Sequence, residues 1–222
     1  MKRLILFFFL CTVTKFAFAQ KNLVNDGRFE QTSFSVNDIS RKIPAKGIWY
    51  PHLTSDQQAV ITVKKDEQKG NVVSMQTLSN VSYAYSYVGQ EIAGALTPGV
   101  YTLSFFAKAN TDVNTYLSTY LRLKTAPGVF AFFPINKFNP KEMLTSSGAL
   151  KQFRLSKDWV KYSVEFDLSK TINNAASPSI AKTEVLLDEA TDVQRKDFYL
   201  GLSCLTKNAG VVFTDVSLTK NL

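Results

Sequence analysis

Apolar side chains recur at every second position through much of this chain. That period fits a half-buried β-strand and excludes an amphipathic helix over the same stretch. Tyr101, Leu103, Phe105 and Ala107 alternate with Thr102, Ser104, Phe106 and Lys108. Val160, Tyr162, Val164, Phe166 and Leu168 alternate with Lys161, Ser163, Glu165 and Asp167. Between 116 and 123, Leu117, Leu121 and Leu123 form one face, with Tyr116, Ser118, Tyr120 and Arg122 on the other. Residues 59–63, 72–76, 83–88, 198–205 and 211–218 read as further strands, rich in the β-branched and aromatic residues that pleated surfaces favour. Thr97-Pro-Gly99 marks a tight turn, and Lys69-Gly-Asn71 and Asn208-Ala-Gly210 are expected to close hairpins. Helical periodicity nowhere reaches ten residues, and a short helix is expected only within 140–150. Many strands joined by turns predict an all-β sandwich or barrel.

One segment interrupts the rhythm. Residues 124–158 contain Pro127-Gly128, Pro134 and Pro140 and the apolar run Val129-Phe-Ala-Phe-Phe133. Long connections in compact domains are usually functional or disordered. The run is read either as an extra edge strand or as a loop walling one side of a ligand site.

The first nineteen residues have the parts of an export signal: Lys2 and Arg3, an apolar run from Leu4 to Val13, and Ala17-Phe-Ala19 ahead of Gln20. The run is about half the ~20 residues a membrane span needs. The expectation is a cleaved signal at 1–19, a single domain over 20–222, and a product that is secreted, periplasmic or displayed at the cell surface. Without Lys2, Arg3 and Lys15 the net charge falls from +8 to +5, with 23 basic residues against 18 acidic ones. Those charges are scattered, so the concentrated basic stripe of a nucleic-acid groove is missing. After cleavage Cys204 is the lone cysteine and no intrachain disulfide can form. Its alternation with Leu200 and Leu202 reads as core.

Two terminal stretches carry a family resemblance. Asn22-Leu-Val-Asn-Asp-Gly-Arg-Phe-Glu30 and Val212-Phe-Thr-Asp-Val-Ser-Leu218 resemble the opening and closing strands of carbohydrate-binding modules of the family four/nine type. Tyr87-Val-Gly-Gln90, Leu96 to Lys108, Trp159 to Phe166 and Tyr199-Leu-Gly-Leu202 are similar to intervening blocks. The resemblance implies a galactose-binding-like jelly roll, a β-sandwich of two antiparallel sheets. It also implies a structural calcium between first and last strands, with Glu30 and Asp215 as the matching carboxylates. Arg28 departs from the pattern, standing where the family often has an acid.

The implied ligand is a polysaccharide or oligosaccharide on a concave sheet face. Sugars present apolar C–H faces and hydroxyl edges, so their sites need flat rings together with amides or charges. Tyr83, Tyr85 and Tyr87 share one strand face, followed by Gln90; Tyr116, Tyr120 and Arg122 share another; Trp49-Tyr50, next to Pro51, is a third candidate from a loop. The competing reading for the tyrosines is sandwich core with hydroxyls at the rim. An enzyme is disfavoured. A single histidine, His52 in a Pro-rich turn, removes most nucleophile–base arrangements, and no phosphate loop or dinucleotide fingerprint appears. The expectation is a non-catalytic binding module. The alternative is a surface or assembly module that contacts a protein partner through 124–158.

Overall fold

The computed structural model describes residues 20–34, 45–53, 59–78, 86–94, 96–112, 114–126, 129–133, 135–139, 143–145, 151–171, 185–186, 197–204 and 206–222. Among these the chain is strands and turns with no helix. The strands, in chain order, are β1 (Trp49–Leu53), β2 (Ala59–Asp66), β3 (Gly70–Thr77), β4 (Ser86–Glu91), β5 (Val100–Ala109), β6 (Tyr116–Ala126), β7 (Val129–Phe132) and β8 (Ile135–Asn139). They continue with β9 (Met143–Thr145), β10 (Lys151–Arg154), β11 (Val160–Asp167), β12 (Lys170–Thr171), β13 (Val185–Leu186), β14 (Phe198–Cys204) and β15 (Gly210–Lys220).

One seven-stranded sheet runs β1-β4-β14-β6-β10-β9, with β7 also paired to β6; a six-stranded sheet runs β2-β3-β15-β5-β11-β8. β12 and β13 form a small separate pair. Pairing within both main sheets is antiparallel. The result is the jelly-roll β-sandwich that the alternation and the resemblance predict.

The core lies between the sheets and is built from the predicted faces. Tyr101, Leu103 and Phe105 of β5 pair with Phe166, Val164 and Tyr162 of β11, and Leu117, Leu121 and Leu123 of β6 belong to the same core. Phe105, Phe153 and Tyr162 form one ring cluster, with centroids 5.3–5.9 Å apart. Burying a large apolar side chain of this kind stabilises by about 1.5–3 kcal/mol. Cys204 sits in the same core.

Four expectations about local structure change. Asn22–Glu30 is not a strand. Asp26 and Phe29 adopt left-handed backbone angles, φ 46° and 56°, so the segment turns back on itself. It still lies along β15: Leu23 N–H donates to the Leu218 carbonyl at 2.8 Å, and Val216 N–H to the Gly27 carbonyl at 2.9 Å. The two ends of the domain are therefore neighbours. Asn208-Ala-Gly210 is a turn, but it closes no hairpin, because β14 and β15 belong to different sheets. Met143–Thr145, inside the stretch expected to be helical, is the strand β9 pairing with β10. Finally, the 124–158 interruption contains four strands, β7 to β10, which extend both sheets.

Candidate functional site

The face of the seven-stranded sheet turned away from the core gathers the aromatic and charged side chains. Side chains alternate across a strand, so residues paired in register share a face. On β6, Tyr120 and Arg122 lie opposite the core-facing leucines. Register places Tyr120 against Gly201 and Arg122 against Tyr199 of β14. It places Gly201 against Gly89 and Ser203 against Tyr87 of β4, and then Gly89 against Tyr50 and Tyr87 against His52 of β1. The outcome is a four-strand patch of Tyr50, His52, Tyr87, Tyr120, Arg122 and Tyr199.

Two glycines shape it. A Cβ on Gly201 would overlap the Tyr120 ring, and one on Gly89 would stand 3.1 Å from the Tyr50 ring. Both rings therefore lie down over bare backbone. Tyr87 stands between them, edge-on to Tyr50 at 6.1 Å and to Tyr120 at 5.8 Å, while His52 stacks on it at 4.5 Å. The Arg122 guanidinium sits 4.9 Å from the Tyr120 ring, 5.7 Å from Tyr87 and 5.9 Å from Tyr199, and its Nη2 donates to the Tyr87 hydroxyl at 3.4 Å. A cation over ring faces is attracted by their quadrupoles, more strongly when desolvated. Lys46 closes one end, bridging Glu91 at 3.0 Å and Asp197 at 2.9 Å.

Burial pushes the Tyr50 and Tyr199 phenols well above their ordinary range, helped by Tyr87 and by Glu91 respectively. Both stay protonated and able to donate. Burial also lowers the His52 imidazole, and the Arg122 charge adds to that, so His52 is neutral at neutral pH. Chemically the patch offers neutral phenols, a neutral imidazole and one guanidinium. It is also closed: Tyr87 is 4% exposed, Tyr120 3% and Arg122 9%.

The other candidate residues are placed as follows. Tyr116 is half-buried on the same face of β6, in register with Arg154. Gln90 is fully buried and both ends of its amide are engaged by one residue. Its Oε1 accepts from Asn25 N–H at 2.9 Å and its Nε2 donates to the Asn25 carbonyl at 2.8 Å. Trp49 is in β1 rather than a loop and faces the core, packed on Phe29 at 5.1 Å with its Nε1 bonded to the Asp26 carbonyl. Tyr83 and Tyr85 lie outside the described residues. So do the side chains of Phe130 and Phe132, whereas Phe133 is buried and stacks on Phe198 at 5.8 Å. Sequence reasoning missed His52 and Tyr199, and it placed Tyr50, with Trp49, in a loop rather than in β1. The available signal was the pair of strand glycines in Tyr87-Val-Gly-Gln90 and Tyr199-Leu-Gly-Leu202, since a glycine inside a strand marks a close approach.

The described side chains do not by themselves make the calcium cage implied by the resemblance. Calcium takes six to eight oxygen ligands. Among the described residues no three His, Cys, Asp or Glu side chains gather. Asp215 instead accepts from Arg28 Nε at 3.0 Å, and Glu30 is exposed, its backbone N–H donating to Asp26. The Cys204 thiol is pushed up to about 11 by burial and stays protonated in the core. No helix of the described residues is long and apolar enough to cross a membrane.

The two-sheet antiparallel sandwich is a carbohydrate-binding-module-like fold, and solved structures share it. The chain matches a protein from Bacteroides thetaiotaomicron VPI-5482, provisionally described as sugar-binding, with TM-score 0.70 and 21% identity over 90% of this chain and all of that one. It matches a family-four carbohydrate-binding module with TM-score 0.51 and 15% identity, over 89% of this chain and 99% of the module. The enzymatically active domain of bacteriophage CBA120 tailspike protein 4 also matches, with TM-score 0.51 and 10% identity, over 90% of this chain but 21% of the phage protein. The chain belongs to the family described as domain of unknown function DUF4627, whose model matches residues 54–218. No functionally curated protein matches it.

Proposed function

We propose that this is an exported, non-catalytic glycan-binding module of the type that families four and nine represent, holding a polysaccharide or oligosaccharide on the core-opposite face of the seven-stranded sheet. The observation that carries this reading is the Arg122-centred patch: Tyr87, Tyr120 and Tyr199 lie within 5.9 Å of one guanidinium on the core-opposite face, with Tyr50 edge-on to Tyr87. Rings supply the surface for C–H faces of a sugar, and phenols and guanidinium supply the partners for its hydroxyls. A protein of the same fold, described as sugar-binding, supports the ligand class. Export rests on the basic, apolar and small-residue sequence of 1–19.

Tyr120 and Tyr87 are 3–4% exposed, so the reading requires these rings to become more accessible when a sugar binds. Affinity electrophoresis against a broad panel of soluble polysaccharides tests the proposal. At least one should retard the protein. Tyr120→Ala should weaken that retention by tenfold or more, about 1.4 kcal/mol, while its thermal melt shows a folded protein. Unchanged mobility across the whole panel would sink the reading.

A further inference from the structure

A second concavity belongs to none of the residues of the tyrosine patch. It has a volume of about 360 Å³ and lies between the turn at 25–33 and the entry to β1. One wall is Gly47, Ile48 and Trp49; the other is Asn25 and Asp26, continuing into Gln31, Thr32 and Ser33. That volume is within the range of ligand sites.

The walls are fixed before any ligand arrives. Asn25 Nδ2 donates to the Gly47 carbonyl at 3.0 Å, tying one side to the other. Trp49 Nε1 donates to the Asp26 carbonyl at 3.0 Å. The Asp26 carboxylate accepts from Glu30 N–H at 2.7 Å, Gln31 N–H at 3.0 Å and the Thr32 hydroxyl at 2.6 Å. The carboxylate is thus occupied in shaping the loop. Preorganisation of this kind removes an ordering cost that binding would otherwise carry.

What the cavity still offers is specific. Ile48 is 51% exposed, one of three large hydrophobic side chains so exposed among the described residues. Beside it are the exposed Gln31 amide and Ser33 hydroxyl, with the Asn25 side-chain oxygen, its Nδ2 being given to Gly47. An apolar surface flanked by uncharged donors and acceptors matches the face and edge of a sugar ring. Among the described residues that line the cavity there is neither lysine nor arginine, and their single formal charge is the negative Asp26. Anionic sugars are therefore disfavoured.

We propose that this cavity is a saccharide subsite distinct from the tyrosine face, taking one or two neutral sugar units, with Ile48 against the C–H face and Asn25, Gln31 and Ser33 on the hydroxyls. The subsite stands independently of the tyrosine face. Its test uses the full domain carrying Trp159→Phe, which leaves Trp49 as the sole tryptophan. Neutral hexoses, pentoses and their disaccharides are titrated against Trp49 fluorescence, with glucuronic and galacturonic acids as charged comparators.

The expected result is saturation by at least one neutral sugar and a much weaker response to the acids. The double variant Gln31→Ala, Ser33→Ala should lose tenfold or more in affinity. Both residues are exposed, so the variant should melt like the parent chain. Failure of every neutral sugar to saturate would overturn the subsite, as would uronic acids binding equally well or the double variant binding unchanged. If Tyr120→Ala abolishes the fluorescence response and the double variant does not, the sugar sits on the tyrosine face and this cavity is not the site. If polysaccharide still retards a protein whose cavity fails the titration, the glycan-binding reading survives alone.

Discussion

Gly27 shows how one residue type can decide whether the ends of a domain meet. Its carbonyl accepts from Val216 N–H, and a methyl group at its Cα would overlap the Val216 carbonyl oxygen. The neighbouring strand accommodates this contact by bulging between Thr214 and Ser217, with Asp215 in a left-handed conformation at φ 53°. Both obstacles to Gly27→Ala are backbone, so neither can swing aside. The substitution should destabilise the domain by about 2 kcal/mol or more, in the upper part of the usual range for point mutants, read from the shift in a urea midpoint. Arg28 beside it carries a different lesson. Its pair with Asp215 is 73% and 27% exposed, so it contributes about 1 kcal/mol at most. It does place a positive charge on the carboxylate that a calcium would need. Adding a chelator, or millimolar calcium, should therefore leave the melting temperature unchanged within about 1 °C. A calcium-dependent rise of several degrees would show that other oxygen donors complete a site.

At the scale of elements, Thr77 at the end of β3 carries the β3–β15 pairing on into the turn that precedes β15. Its hydroxyl accepts from Ala209 N–H at 2.8 Å and donates to the Thr206 carbonyl at 2.6 Å. Its own N–H donates to the Ala209 carbonyl at 2.8 Å. The crossover from β14 in one sheet to β15 in the other is thus pinned to β3 by a side chain that is 1% exposed. Thr77→Val keeps the shape and strands the buried Ala209 N–H. That should cost about 1–3 kcal/mol, and Thr77→Ser should recover much of it; equal losses in both variants would mean packing rather than hydrogen bonding holds the crossover. The same crossover is where sequence reading fails. Period-two alternation reveals the strands and their inward faces in β5, β6 and β11, because a half-buried strand writes its environment at every second residue. Turn residues do not record which sheet the next strand joins, so Asn208-Ala-Gly210 reads as a hairpin. In the 22–30 segment the resembling residues form no strand, because Asp26 and Phe29 are left-handed and the Asp26 carbonyl and carboxylate close a local turn on the N–H groups of Phe29, Glu30 and Gln31. Half of the tyrosine face is legible. Tyr87, Tyr120 and Arg122 are visible as alternation, whereas Tyr50, His52 and Tyr199 join them only through the register of four strands. Gln90 reads as a free amide, and nothing local reveals that Asn25 takes both its ends.

For the whole molecule, the single histidine makes one titration separable from all others. His52 lies in β1, stacked on Tyr87, with its imidazole held below its ordinary 6.5 by burial and by the Arg122 charge. The acidic groups with resolved shifts, Asp66, Asp112 and Asp197, are all lowered from 3.8, so they titrate further down the scale. Among the described side chains with resolved shifts, the one that titrates between about pH 7 and pH 5 in the unfolded chain is therefore His52. The sign follows from linkage. The unfolded chain takes up this proton near 6.5 while the folded chain still resists it, so the unfolded state binds more protons and stability rises with pH. The contribution is complete above the unfolded value and is lost as pH falls below it, levelling off once the folded imidazole also protonates. The parent domain should melt at progressively lower temperature as pH is stepped from 7 to 5. His52→Gln, which cannot protonate, should flatten that slope, and its effect should be visible as the difference between the two melting curves at each pH. A parent curve that stays level across this window, or a His52→Gln curve with the same slope, would mean that the stacked imidazole protonates without opposing the fold. Because the ring rests on the proposed ligand face, the same pH series run with a bound polysaccharide should show retention weakening along with stability, since protonating His52 places a second positive charge beside Arg122 and loosens the stack on Tyr87.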